Sequence, residues 1–258
     1  AAVGPTNGIP VVFLADTFNR WFEPENARAA VNVLTAAGYR VHLPSVPADK
    51  RPLCCGRTFL ANGLVDEAIA EIERTMTALG PFLDQKMPVI GLEPSCLFTF
   101  RDEVQALMPG DAANLLAESA MLFEEFIARE SANDHFTLDF QPTPFKKVLL
   151  HGHCHQKAFD AMGAVESALR LVPELEIETV QSSCCGMAGA FGYRAENYEI
   201  SMKMGEMALL PAVRDAKAET ILVADGSSCR NQIADGAGRQ AVHVAQVLAS
   251  ALPAETRA

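Results

Sequence analysis

The chain has 258 residues, 49% of hydrophobic type and 21% charged, with a net charge of −11 from 21 basic and 32 acidic side chains. That length suits one large or two modest domains, and the mixture is that of a globular protein, neither disordered nor coiled-coil. The negative charge offers DNA or RNA no counterion release, the longest apolar runs fall far short of the roughly 18 residues of a membrane helix, and seven cysteines are too few and too oddly numbered for a secreted disulfide scaffold.

In chain order, Ile9 to Ala15 predicts a short buried strand. Pro24-Glu25-Asn26 then opens a helix whose apolar positions Ala29, Ala30, Val33, Leu34 and Ala37 recur at helical spacing up to Gly38. Residues 39–43 predict a second strand, closed by Pro44 and Pro47 ahead of Cys54-Cys55-Gly56. Residues 64–79 predict a helix bounded by Gly80-Pro81, and residues 88–92 a buried strand running into Glu93-Pro94-Ser95-Cys96. After the break at Pro109-Gly110 a helix is predicted over 111–130, followed by a proline-bearing joint. The pattern then restarts with a strand over 147–151, Cys154, a helix over 156–171 and a strand over 175–180 leading into Cys184-Cys185-Gly186. A long helix near 194–218 follows, with Glu196 placed in its first turn to suit the helix dipole. A strand over 220–224 runs into Cys229, and a closing helix is predicted near 239–251.

Cys54-Cys55-Gly56 recurs as Cys184-Cys185-Gly186, and Cys96 as Cys229, both at an offset of about 130 residues. The expected class is therefore α/β with two pseudo-repeated halves: 1–130, a connecting segment 131–146, and 147–258. Each half is a small, mainly parallel sheet flanked by helices, with its cysteine loops at the carboxyl ends of the strands, where ligands gather in such folds.

Three loops of the second half bring Cys154, Cys184, Cys185 and Cys229 toward one sheet edge. Four soft thiolates suit zinc or an iron–sulfur cluster, and adjacent cysteines fit separate irons of a cluster better than two corners of one tetrahedral zinc. Gly186 and Gly189 permit close backbone approach, and N–H groups of their loop can donate to cluster sulfurs. Strand alternation would send His151, His153 and His155 to one side and Cys154 to the other. His153 or His155 is then a candidate to serve a cluster, a proton or zinc, ahead of His151. His42, His135 and His243 read as structural or surface residues. The first half has Cys54, Cys55 and Cys96 but only Asp16-Thr17-Phe18 after its opening strand, so its set is depleted; these three cysteines either hold a cluster with an oxygen or exogenous fourth ligand or belong to a degenerate copy kept for packing and partner contact, and Arg57, Glu93 and Ser95 stand beside them as candidates for lining a cleft. No GxGxxG, Walker A, HExxH, GxSxG or ferredoxin run occurs, which sets aside nicotinamide, ATP and serine-hydrolase chemistry.

The segments Leu53-Cys54-Cys55-Gly56-Arg57, Glu93-Pro94-Ser95-Cys96, His151-Gly152-His153-Cys154-His155 and Ser183 to Gly189 resemble the cysteine-rich CCG domain family. That family occurs as tandem copies in a heterodisulfide reductase subunit and in the glycolate oxidase iron–sulfur subunit. The run from Phe191 to Glu206 resembles the C-terminal region of large FAD-linked D-2-hydroxyacid dehydrogenases and oxidases. The family pattern ends each copy in C-x₂-C, whereas Gln232 and Thr99 replace the last cysteine here, and the first copy also lacks its opening one. The resemblance implies a [4Fe–4S] cluster in the second half, with zinc as the alternative, in a module that passes electrons from a flavin toward an acceptor. The other readings are a zinc-stabilised docking module and a thiol/disulfide reductase unit. FAD is expected only in the remainder of the enzyme, with flavin-binding and ferredoxin-like domains as partners. The chain alone is then expected to lack turnover of lactate, glycolate or 2-hydroxyglutarate. The absent initiator Met suggests excision from such an enzyme, and reduced cysteines without an export signal suggest the cytoplasm, with attachment to the inner membrane only through partners.

Overall fold

A computed structural model describes residues 1–44 and 51–256, so the expected strand closure at Pro47 lies outside the described residues. The chain divides into two units, Ala1–Phe126 and from Ile127 onward, and the stretch 131–146 belongs to the second. In the first unit β1 (Ala2–Val3) and β2 (Ile9–Phe13) precede α1 (Thr17–Trp21), α2 (Pro24–Ala36) and β3 (Tyr39–His42). Then come α3 (Arg57–Ala61), α4 (Val65–Leu83), β4 (Val89–Gly91), α5 (Pro94–Arg101), α6 (Glu103–Leu107), α7 (Asp111–Ser119) and β5 (Ala120–Leu122), and the division falls within the following helix, α8 (Phe123–Ala132). The strand order is β1-β3-β2-β4-β5, all parallel except β1, which runs antiparallel to β3.

The second unit contains β6 (Lys147–Leu150), α9 (Cys154–Ala158), α10 (Met162–Arg170), β7 (Glu176–Thr179), α11 (Tyr198–Glu206), α12 (Leu209–Asp215), β8 (Ile221–Val223), α13 (Ser227–Ala237), β9 (Ala241–Val242) and α14 (Val244–Ser250). Its sheet, β7-β6-β8-β9, is wholly parallel. Apart from β1 the two sheets have the same order, β3-β2-β4-β5 matching β7-β6-β8-β9. In each unit a Cys-Cys-Gly loop follows the second of these strands in sequence, and a lone cysteine is the third residue of the helix after the next, Cys96 in α5 and Cys229 in α13. The inner strands are short apolar runs because helices cover them; Val11, Val12, Val89, Ile90, Val148, Leu150 and Val223 are all fully buried, whereas the edge strand β7 is polar and none of its residues is buried.

Several expected elements differ. The helix over 64–79 continues through Gly80-Pro81 to Leu83, because Ala68, Ile72, Thr75, Leu79 and Leu83 form one buried stripe while Pro81 faces outward. Burying Leu79 and Leu83, each worth about 1.5–3 kcal/mol, offsets the roughly 3 kcal/mol of a proline in a helix. The single helix expected over 111–130 is α7, β5 and α8. Ala120 and Leu122 are buried beside β4, and the Leu122 N–H donates to the Glu125 carboxylate, at 2.9 Å, which Arg101 grips at 2.8 Å. The helix over 156–171 breaks into α9 and α10 at Asp160, which takes φ +54°.

The helix expected near 194–218 is two 3₁₀ turns, Phe191–Tyr193 and Ala195–Asn197, followed by α11 and α12. The break puts Pro211 in the first turn of α12, where no N–H is needed, and it leaves Glu196 in a 3₁₀ turn ahead of α11. Residues 239–251 hold β9 as well as α14. Cys229 lies in α13, where the sequence pattern predicts no helix.

Candidate metal centre

Strand β6 ends at Leu150, so strand alternation stops before the histidines and no longer decides where they point. His153 caps α9 instead: its Nδ1 accepts the His155 N–H at 3.1 Å, and its own N–H donates to Gln156 Oε1 at 3.0 Å, a reciprocal capping box. Cys154 is thereby grouped with the two histidines expected to face away from it. Its Sγ lies 4.0 Å from His153 Nδ1 and 3.9 Å from His155 Nδ1, and the two rings stack with centroids 5.2 Å apart. His151 goes elsewhere, to Cys185 and Cys229.

The Cys184-Cys185-Gly186 loop turns at Gly186, φ +103°, where an added Cβ would come within 2.1 Å of the Ser201 carbonyl oxygen. Only glycine fits there. The turn aims the Gly186 N–H at Cys184 Sγ, at 3.3 Å. Cys184 is hydrogen-bonded to Cys154 and Cys185, and Cys185 in turn to Cys229. Four thiols from three loops thus stand in a row.

Their tendencies to ionise run in opposite directions from one thiol to the next. The hydrogen bond from Cys154, then that from Cys185, holds Cys184 far below the ordinary thiol range, and backbone N–H groups assist. The bond from Cys185 depresses Cys229, with His153 and His151 contributing. Cys154 and Cys185, the donors, are raised. Lys157 stands beside them, its Nζ donating to the carbonyl oxygens of Ser182 at 2.5 Å and Ser183 at 3.2 Å. Burial lowers its pKa, while the surrounding thiols pull the other way.

Behind the centre lies a buried network that sequence reading missed. Asp225 accepts from Gln156 Nε2 at 2.9 Å and from the Val244 N–H at 3.0 Å, and His243 Nε2 lies 3.6 Å from it. His243 is structural as expected, a fully buried cap whose Nδ1 accepts the Ala245 N–H. His42 packs on Phe82 with ring centroids 5.7 Å apart, and His135 is largely exposed beside Glu130.

Among the described residues two trios could hold a metal ion, His151–Cys185–Cys229 and His153–Cys154–His155, the donor atoms of each lying within 4.8 Å of one another. His151 Nε2 is buried without a hydrogen-bond partner, as a nitrogen meant for a metal would be. Three donors of mixed nitrogen and sulfur suit a single zinc-type ion better than a [4Fe–4S] cluster, which takes four thiolates. Gln232 spends its amide on Ser201. Gly189, φ +65°, has open space around its α-carbon, so backbone conformation rather than crowding selects glycine there.

In the first unit Cys54, Cys55 and Cys96 line a cavity together with Asp16 and Glu93. Asp16 caps α1, its Oδ1 accepting from the Phe18 and Asn19 N–H groups at 2.9 and 3.1 Å. All three thiols are raised. The bond to Cys55 raises Cys54; for Cys55 the favourable bond from Cys54 is outweighed by its bond to Cys96 and by burial. Cys96 is pushed up to about 11, burial and the Asp16 and Glu93 carboxylates outweighing its bond from Cys55. Of the residues expected to line a cleft here, Glu93 does, but it is buried and accepts from Ser95 Oγ at 2.9 Å; Arg57 pairs with Glu103. Thr99 donates to the Ser95 carbonyl oxygen at 2.9 Å.

Residues 148–234 match the cysteine-rich domain model, CCG. The chain is 30% identical over 246 residues to an anaerobic glycerol-3-phosphate dehydrogenase subunit of Escherichia coli (strain K12), covering 94% of this chain and 59% of that protein. It is 25% identical over 240 residues to D-2-hydroxyglutarate dehydrogenase of Pseudomonas putida, covering 92% of this chain and 22% of that protein. The E. coli (strain K12) D-2-hydroxyglutarate dehydrogenase is 24% identical over 243 residues, again with 22% of its length covered. The chain is thus a distant homologue of these dehydrogenase chains and spans only part of their length. Among the described residues no helix is long and apolar enough to cross a membrane.

Proposed function

We propose that this chain is a metal-holding docking module of a flavin-dependent oxidoreductase. The observation that carries this reading is the convergence of Cys154, Cys184, Cys185 and Cys229 with His151 and His153 at the carboxyl ends of β6, β7 and β8. The donor count of each trio favours a zinc-class ion, held by Cys185, Cys229 and a histidine. Such an ion would pin three separate loops together and fix the face they present to a flavin-binding partner segment or chain. The thiol of Cys229, already inclined to ionise, is the natural first donor. Similarity to glycerol-3-phosphate and 2-hydroxyglutarate dehydrogenases supports a parent reaction that oxidises a secondary alcohol beside an anionic group. The flavin would supply the hydride chemistry.

A second reading is electron transfer through a [4Fe–4S] cluster held by Cys154, Cys184, Cys185 and Cys229, with Gly186 and Gly189 admitting it and His153 and His155 beside its sulfurs. The row of four thiols favours it. Anaerobic purification, followed by iron, sulfide and zinc analysis and EPR, separates the two. Stoichiometric zinc, with no iron retained after cluster reconstitution, supports the docking module; iron and sulfide with a reduced-state EPR signal support electron transfer. Robust 2-hydroxyacid turnover by the purified chain would overturn both.

A further inference from the structure

We propose that His151 is itself a metal ligand, its Nε2 joining the sulfurs of Cys185 and Cys229 on one ion, and that Ser182 orients it. This rests on the reading of the second unit as a metal centre and names a donor outside its cysteine set. His151 is only 2% exposed, and its Nε2 has no hydrogen-bond partner. A buried polar nitrogen left unpaired costs roughly 1–3 kcal/mol, and a metal bond would remove that cost. The nitrogen lies with the sulfurs of Cys185 and Cys229, all donor atoms within 4.8 Å of one another and all three residues buried.

The other ring nitrogen supports the same role. His151 Nδ1 lies 3.0 Å from Ser182 Oγ, which also accepts from Lys157 Nζ at 3.3 Å. A hydroxyl oxygen has two lone pairs, so Nδ1–H can donate to the second. The lone pair of Nε2 then points at the thiols, the arrangement in which a ligating histidine is held by a hydrogen bond at its far nitrogen. Gln232 is spent on Ser201 and offers the centre no donor. His151 is the nitrogen that stands with Cys185 and Cys229.

The competing role for Nε2 is as an N–H donor to an ionised Cys229, and X-ray absorption on the whole chain loaded with zinc alone separates the two. A ligand His151 gives one nitrogen near 2.0–2.1 Å beside sulfurs near 2.3 Å. That nitrogen shell is expected to disappear in His151→Ala with at least a tenfold loss of zinc affinity. In His151→Cys it is replaced by a further sulfur, with affinity restored. Ser182→Ala keeps the nitrogen but weakens binding by about tenfold. Should His151→Ala fail to fold, His151→Cys and Ser182→Ala still decide the matter. A sulfur-only shell in the unaltered chain, or a nitrogen that survives in both His151 variants, overturns the inference and leaves the metal-module reading standing. No zinc uptake at all overturns both.

Discussion

Asp16 and His153 hold the same place in their units, each capping the short helix that follows the central strand. The first presents a carboxylate to Cys96, which is held up at about 11; the second presents an imidazole to Cys229, which is held well below the ordinary thiol range. The two units also differ in their thiols: all three are raised in the first, whereas in the second Cys184 and Cys229 are lowered, Cys229 chiefly by its bond from Cys185 with His153 assisting.

Alkaline stability follows from the first unit. Cys96 has a folded-state pKa raised from 9.0 to about 11, so its contribution is complete below pH 9 and is lost as pH rises toward 11. The loss is on the order of 2 kcal/mol. Denaturant unfolding under reductant at pH 8 and pH 10.5 should show it, and Cys96→Ala should flatten the slope. A wild-type stability unchanged across that window would count against the assignment.

Thiol reactivity should differ in the same sense. Cys184 and Cys54 are both partly exposed, but Cys184 is driven toward thiolate by its bond from Cys154, whereas Cys54 is raised by its bond to Cys55. In chelator-treated protein at pH 7, iodoacetamide should alkylate Cys184 at least about tenfold faster than Cys54. Peptide mass spectrometry over time reads this directly, and equal rates would contradict it.

At the turn of the cysteine loop, Gly186→Ala must place its Cβ against the Ser201 carbonyl at a positive φ. A loss of roughly 2–3 kcal/mol is expected. Gly189→Ala meets no neighbouring atom and should cost only about 1 kcal/mol. Thermal or denaturant unfolding of the two variants should keep that order.

Behind the centre, Asp225→Ala would leave Gln156 Nε2 and the Val244 N–H without their acceptor in a fully buried place. The expected cost is about 3 kcal/mol, and Asp225→Asn, which keeps one acceptor, should lose less. Equal stability of the two variants would show that the carboxylate is not the joint of this network.

How much of this is legible in the sequence depends on the kind of signal. Val11-Val12-Phe13 and Val148-Leu149-Leu150 read as strands because strands covered on both faces are plain apolar runs. The two Cys-Cys-Gly loops expose the repeat, and hence the sheet edge on which Cys154, Cys184, Cys185 and Cys229 assemble. Ala120-Met121-Leu122 is hidden inside an unbroken helical period, since its strand state depends on pairing with β4 and on Arg101 holding Glu125 in place, both contacts from outside the segment. The partition of His151 from His153 and His155 escapes the pattern for a related reason: strand periodicity does not carry past Leu150 into a helix cap. Asp16, Lys157, Ser182 and Asp225 carry no motif at all and are recognisable only by what they touch.

The account stands most directly on the metal content of the anaerobically purified chain, measured beside Cys229→Ser and Cys54→Ser. The wild type and Cys54→Ser should carry tightly bound metal in equal amount, and Cys229→Ser should lose most of it while keeping its circular dichroism. A folded wild type that binds neither zinc nor iron, or a Cys229→Ser variant that retains the full complement, would contradict it.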